Sequence, residues 1–566
     1  MKYKATVDRV AVTVSTYAIT VILSLFLTVK TQTTMKYYSI FSFLLFALSA
    51  NLFTAAKAQV NKSDSLALVD LYNSTNGPGW YGKSNWLTTN PVSTWAGITV
   101  TGTRVTAIKL TNNHLTGTLP ASIGNLTGLI SLQLFGNEIT GSIPLSIGNL
   151  INLKTLYLFS NQLSGAIPVS IGNLTKLTVI YLSINNLTGE IPDALSNLVN
   201  LDSLILEDNQ LTGSLPSSLG NLHNLRVLDI GINQLTGEIP SFIGNLTNLR
   251  NLRLVLNQLN GAIPASIGNL TNLGSLNLTS NQLSGSIPAS IGNLKNLSDL
   301  TLNNNLLTGS IPPEMGKLKN LFFLFLDNNF LTGEIPSTFS RLNNVGRITL
   351  NNNRLTQSKN VKFPGYPKSD SRVNISSNNF TFDGLEFIDR KYPNAFYAPQ
   401  STIHIHQQAN SLSVFAGGTL SNNTYNWFKV GEEGSTAITG DSIFTPTQSG
   451  KYYESVTNAI ATQLTLYSDT IDFTMSSFIA NNRIATRTNF GKGKQTLKVF
   501  PNPASAVIQV QINGTANIII TNAAGKIMLS KTITSNTSID VSRFANGVYY
   551  IQNKTTGEIQ KIVVIH

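Results

Sequence analysis

The sequence predicts an α/β solenoid with a 24-residue period, followed by two β-sandwich modules, on three observations. Asparagine recurs at Asn113, Asn137, Asn161, Asn185, Asn209, Asn233, Asn257, Asn281, Asn305, Asn329 and Asn353, each 24 residues after the last. Leucines alternate just before each asparagine, as Leu156 and Leu158 do before Asn161, which puts both on one face of a short strand. From about Ala398 both signals stop, and short β-type runs bounded by turn residues take over. A chain of 566 residues is too long for one compact core, which fits an extended array with appended modules.

The N-terminus is an address. "MKYYSIFSFLLFALSANLFTAAKAQ", from Met35, has a basic start, an apolar stretch and the small-x-small run Ala56-Lys57-Ala58, so residues 35–58 read as a secretory signal peptide. Upstream, Val10 to Val29 is apolar and long enough to span a bilayer. Residues 1–34 are either an over-extended start ahead of Met35 or a membrane segment. Residues 59–104 read as an N-terminal cap. There "DSLALVDLYNSTNGPGW" predicts a capped helix and a turn, and Trp80, Trp86 and Trp95 are three of the chain's four tryptophans.

Residues 105–384 hold the repeats, with the frame LxxLxLxxNxL followed by TGxIPxxIGNL. The asparagine turns inward and bonds the backbone of the adjacent turn, predicting a ladder along the array. Gly165 serves a backbone conformation closed to other residues, Pro168 stiffens the exit turn, and "SIGNL" gives a short helical turn on the convex side. Triplets such as Asn125-Leu126-Thr127 match a glycosylation acceptor but arise as by-products of the repeat consensus. After Asn353 the pattern decays, with Asn378 one residue late, so the array is expected to end near Gly384.

This frame resembles the leucine-rich repeat, and "LTGxIP" its plant-type subclass of receptor ectodomains and polygalacturonase-inhibiting proteins. The cap resembles the plant-type N-terminal cap, except that Val100 stands at the usual cysteine position. The chain has no cysteine at all, so packing must replace that disulfide.

Residues 398–472 look like a small immunoglobulin-like (Ig-like) β domain, with Trp427 on one strand and Gly450-Lys451-Tyr452 entering another. Glu454 falls where such modules carry an apolar residue. His404 and His406 share a strand face but have no third metal ligand within sequence reach. Residues 473–496 read as a linker. Residues 497–566, through Pro501-Asn502-Pro503, Gly525 and Gly547-Val548-Tyr549, resemble the C-terminal sorting domain of the type IX secretion system of Bacteroidetes. That resemblance implies contact with the secretion machinery, and a secreted or cell-surface protein at the outer membrane, touching membrane only through export or attachment.

Charge and composition exclude several classes. The net charge of +12 suggests nucleic acid, but Val105 to Thr356 holds twelve bases against twelve acids, leaving no basic binding face on the repeats. The five histidines are dispersed, cysteine is absent and no glycine-rich phosphate loop opens a helix, so neither an enzyme nor a cofactor or metal site is expected. Glu207, Asp208 and Asp229 could mimic a glycosidase pair, but an open sheet gives such a pair no walls.

What remains is binding. Residues between the core leucines face outward on the concave sheet, where turns lie about 4.8 Å apart. Phe135, Tyr157, Phe159 and Tyr181 cluster there on consecutive turns, with Glu207, Asp208, Asp229 and Arg253 beyond them. Most other turns place Ser, Thr, Asn or Gln at these positions. An exposed apolar patch marks an interaction site, here for a protein or a cell-surface glycan. The alternative is a surface spacer without a specific ligand, for which these residues are drift at unconstrained strand positions. A polymer- or ice-binding lattice of Thr, Ser and Asn rows ranks behind both.

Overall fold

The computed structural model describes residues 60–356, 363, 373–408, 410–432, 436–439, 441–475, and 497–564 save 501–503, 505, 513, 523–525, 535–536, 546 and 556–558. The signal peptide, residues 1–34 and most of the expected linker lie outside the described residues. The chain divides into two compact units, Met1–Ser476 and Ser477–His566.

The first unit is built on one long parallel sheet. An antiparallel pair, Ile98–Thr101 and Arg104–Lys109, starts it, and one three-residue strand per turn extends it, from Ser131–Gln133 to Arg347–Thr349. Register is strict at 24: Leu132, Leu156, Ile180, Leu204 and Leu228 lie side by side, all but out of solvent. Each asparagine closes the turn behind it. Asn185 donates through Nδ2 to the carbonyls of Leu158 (3.1 Å), Leu182 (3.1 Å) and Ser183 (3.2 Å), and its Oδ1 accepts from Leu163 N (2.9 Å). These side chains satisfy backbone groups that the chain's bend takes out of the sheet, where each orphan would cost about 1–3 kcal/mol.

Two features go beyond the repeat frame. The "LTGxIP" segments form a second parallel sheet on the flank, with Thr116–Thr118, Glu138–Gly141, Gln162–Ala166, Asn186–Glu190 and Gln210–Thr212 in order. A second asparagine row repeats the ladder near the convex side. Asn152, Asn200, Asn224 and Asn248 donate to Thr127, Thr175, Val199 and His223 carbonyls at 2.8–2.9 Å. The convex turns are five-residue 3₁₀ segments such as Val169–Asn173, too short for an α-helix. Gly172 is needed there because a Cβ would lie 2.4 Å from the Ala194 carbonyl oxygen of the next turn.

The cap packs Tyr72, Trp80, Trp86 and Trp95 ring against ring, with centroids 4.8–5.7 Å apart. Val100 packs against the same core. Buried Asp64 on the helix Lys62–Ser74 holds Arg104 through both oxygens (2.9 and 3.0 Å) and accepts from Val105 N (2.8 Å).

The array runs past its expected end near Gly384. Asn378 forms a rung, accepting from Leu355 N at 2.9 Å, and after the kinked helical segment Phe382–Lys391 Gln400 forms another. Gln400 Oε1 accepts from Asn378 N (3.1 Å) and Phe380 N (3.2 Å), doing with a longer side chain what asparagine does elsewhere.

The β domain behind it has two antiparallel sheets. One holds Ile405–Gln408, Ser411–Val414 and Ile443–Phe444; the other centres on Asn423–Lys429 and Gly450–Asn458. Trp427 stacks on Phe444 across them (5.2 Å, 18°), and Tyr452 Oη donates to the Gln448 carbonyl at 2.9 Å. This domain shares one continuous core with the array. Glu386, on the array's last helical segment, clamps it. Its carboxylate accepts from Thr419 N (2.9 Å), Thr419 Oγ1 (2.9 Å), Asn422 Nδ2 (3.2 Å) and Asn458 Nδ2 (2.8 Å). Burial alone would raise its pKa, but the bonds from Asn458, Thr419 and Asn422 together lower it.

The second unit has a three-stranded sheet (Lys498–Phe500, Val507–Gln511, Thr537–Asp540) and a four-stranded one. In the latter Ile527–Thr534, Thr515–Asn522, Gly547–Asn553 and Ile559–Val564 follow in order around Ile518, Ile520, Ile551 and Ile562.

Candidate ligand-binding face

The strict register aligns concave positions into rows that cross the turns. One row reads Gln133, Tyr157, Tyr181, Ile205, Asp229 and Arg253. Two residues further along each turn lie Phe135, Phe159, Ser183 and Glu207. The four aromatics meet: Phe135 stacks on Phe159 (4.4 Å, 9°), Tyr157 meets Tyr181 edge-on (5.3 Å, 86°) and Phe159 lies 6.0 Å from Tyr181. Each is half-buried, because the rings cover one another and leave their outer faces as a contiguous aromatic surface. Burial raises the Tyr181 pKa, with smaller contributions from Tyr157, Asp202 and Asp229, so its hydroxyl remains a protonated donor at neutral pH.

The polar residues beyond are not equivalent. Arg253 binds Glu207 Oε1 (2.7 Å) and approaches Asp229 Oδ2 (3.5 Å), so these three occupy each other. Asp229 is buried, which raises its pKa against the lowering effects of the Gly231 N–H and Arg253. Asp208 is different. It is exposed, and none of the ion pairs among the described residues engages it.

Backbone geometry adds a third row that the sequence pattern did not single out. The residue before each ladder asparagine is left-handed in every turn, from Asn112 (φ +50°) to Asn352 (φ +55°). Glycine, asparagine, aspartate or serine fills most of these positions. Ile184 (φ +55°), Ile232 (φ +52°) and Leu256 (φ +53°) do not fit that preference, and β-branched residues there are outliers. All three are exposed, at 51%, 37% and 50%. Near the far end a second aromatic group gathers Phe322, Phe323 and Phe325, with the Arg347 guanidinium 5.8 Å from the Phe325 ring centre. His404 pairs with Asp469 at 2.9 Å on the β domain.

Residues 107–230 match the family "Leucine-rich repeat region", and residues 224–246, 272–294, 296–318 and 320–342 match "Leucine Rich Repeat". Residues 498–565 match "Secretion system C-terminal sorting domain". This is a leucine-rich repeat protein with a secretion sorting domain. Among solved structures it is similar to a plant peptide hormone receptor in complex with RGF2, at 37% identity over 49% of this chain and 48% of the receptor (TM-score 0.44). It is also similar to a plant ice-binding protein, at 29% identity over 55% of this chain and 100% of that one (TM-score 0.44). A leucine-rich repeat protein of Leptospira interrogans matches at 30% identity over 52% of this chain and 83% of its own (TM-score 0.35). The chain spans about half the length of the receptor it matches. Comparison with curated proteins finds no match.

The sorting domain marks this leucine-rich repeat protein for type IX export to the cell surface or extracellular space. Within it Tyr549 lies against Phe544 (5.0 Å) and donates to the Ala545 carbonyl (2.9 Å), just ahead of Gly547. Pro501, Asn502, Pro503 and Gly525 lie outside the described residues. Among the described residues no helix is long and apolar enough to cross a membrane.

Proposed function

We propose that the protein is an exported binding or adhesion protein that takes a macromolecular ligand on the concave face of its early repeats. The observation that carries this is the contiguous surface of Phe135, Phe159, Tyr157 and Tyr181, four rings on three adjacent turns of a face that is otherwise mostly small and polar. A spacer gains nothing from such a surface, whereas aromatic anchors in an interface are each worth about 2 kcal/mol or more. The tyrosine hydroxyls and the Glu207–Arg253–Asp229 cluster supply the polar rim that gives orientation.

The test compares the exported full chain with its Tyr157→Ala/Phe159→Ala variant on arrays of surface proteins and glycans, after matching their thermal midpoints. A ligand captured by the wild type and weakened about tenfold or more in the variant supports the proposal. Equal capture moves the site off this face, and no capture by either favours the spacer.

A further inference from the structure

Ile184, Ile232 and Leu256 occupy positions where the fold itself asks for something else. Every turn needs a left-handed residue ahead of its asparagine, because that geometry lets the carbonyl accept from the preceding turn. The row is continuous: Ile184 N donates to Glu207 O, Asn185 N to Asp208 O, Asp208 N to Gly231 O and Asn209 N to Ile232 O, at 2.9–3.1 Å. Asn304, Asn328 and Asn352 meet the same requirement without strain, and Ser160 and Ser280 without bulk. Aliphatic side chains in this row are therefore unfavourable twice, in backbone conformation and in exposed apolar area. Neither cost contributes to the array's own packing, since all three side chains face solvent.

What lies between them limits the occupant. Asp208 stands in the same row between Ile184 and Ile232, exposed and unengaged by any ion pair among the described residues, while its neighbours Glu207 and Asp229 are both paired with Arg253. The row thus offers apolar, acidic, apolar and apolar side chains on successive turns about 4.8 Å apart. Aliphatic groups offer a glycan neither a π face nor a hydrogen bond, and covering its hydroxyls with them is unfavourable.

We infer that Ile184, Asp208, Ile232 and Leu256 form a specificity ridge for an extended polypeptide segment carrying a lysine or arginine between apolar side chains. This rests on the concave-face reading above and names the ligand class. From Ile184 to Leu256 is three turns, about 14 Å, which an extended segment of about five residues spans.

The experiment pans the full chain against a random-peptide display library of about a dozen residues, long enough to cover the ridge and the aromatic surface. A peptide made from the consensus is then titrated onto four proteins: wild type, Ile184→Asn/Ile232→Asn/Leu256→Asn, Asp208→Lys, and Tyr157→Ala/Phe159→Ala. A polysaccharide panel runs in parallel. The expected result is a consensus with a basic residue between apolar ones. Its binding falls about tenfold or more in the asparagine triple, although that variant's thermal midpoint rises. Asp208→Lys, which reverses the charge between Ile184 and Ile232, loses the basic preference.

No enrichment of that pattern, binding by the triple within about twofold of wild type, or an unchanged preference in Asp208→Lys overturns the inference. If the triple retains a peptide that Tyr157→Ala/Phe159→Ala loses, the ridge fails while the concave-face proposal stands; retention by both sinks both. Capture of a polysaccharide that the triple loses overturns the polypeptide class.

Discussion

Glu454 provides a prediction whose size follows from its surroundings. It sits on Gly450–Asn458 directly opposite Trp427, fully buried, and its two carboxyl oxygens and the Trp427 Nε1 have no hydrogen-bond partner. Burial pushes its pKa from 4.5 up to about 9, so the folded protein carries it as the neutral acid at pH 7. A folded-state pKa above the unfolded value means that the folded form holds the proton more tightly. The group's contribution is therefore most favourable below 4.5 and erodes as pH climbs towards 9. At neutral pH that erosion amounts to about 3 kcal/mol. Glu454→Gln keeps the shape and cannot ionise, so it should be more stable than wild type by about that amount at neutral pH and indistinguishable near pH 4. Hydrogen exchange of the Gly450–Asn458 amides, corrected for intrinsic rates, gives the local opening free energy at each pH. Opening energies for the two proteins that run parallel across the range would refute a buried neutral acid.

Two further outcomes follow from the hydrogen-bond accounting. Asn185→Ala takes the partner of the Leu163 N–H and one of the two asparagine donors on each of the Leu158 and Leu182 carbonyls, which keep Asn161 and Asn209, and should cost about 1–3 kcal/mol in urea unfolding; a loss below about 0.5 kcal/mol would contradict the ladder's role. Glu386 has its pKa lowered in the fold, so the clamp it forms is present above its ordinary 4.5 and lost as pH falls through the lower folded value. Glu386→Ala should accordingly speed amide exchange in Asn423–Lys429 at neutral pH, and approach wild type in acid.

The array was legible because its requirements recur. A ladder asparagine and its leucines appear at the same offset in turn after turn, so period alone exposes Asn113 to Asn353 and the strand beside each. The second row through Asn152 and Asn200 has the same period, yet its asparagines lie in "NL" segments that read as ordinary convex polarity. Gln400 was hidden because it breaks both residue type and spacing while making the bonds of a ladder residue. On the candidate face, neighbour relations across turns were predictable, and the four aromatics do meet. What each side chain does once there was not. Arg253 turns to Glu207, 46 residues away, through a choice of rotamer that no pattern encodes. The ridge at Ile184, Ile232 and Leu256 emerges only when the sign of φ is known, since an exposed aliphatic on a solenoid is otherwise unremarkable.

On the proposed function, the aromatic surface of the early turns touches the ligand. Hydroxyl-radical footprinting of the full chain, alone and saturated with a ligand captured on the arrays, tests it most directly. Phe135, Tyr157, Phe159 and Tyr181 should lose labelling on binding, while Phe322 and Phe323 at the far end keep theirs. Unchanged labelling of those four rings, with protection elsewhere on the array, would contradict it.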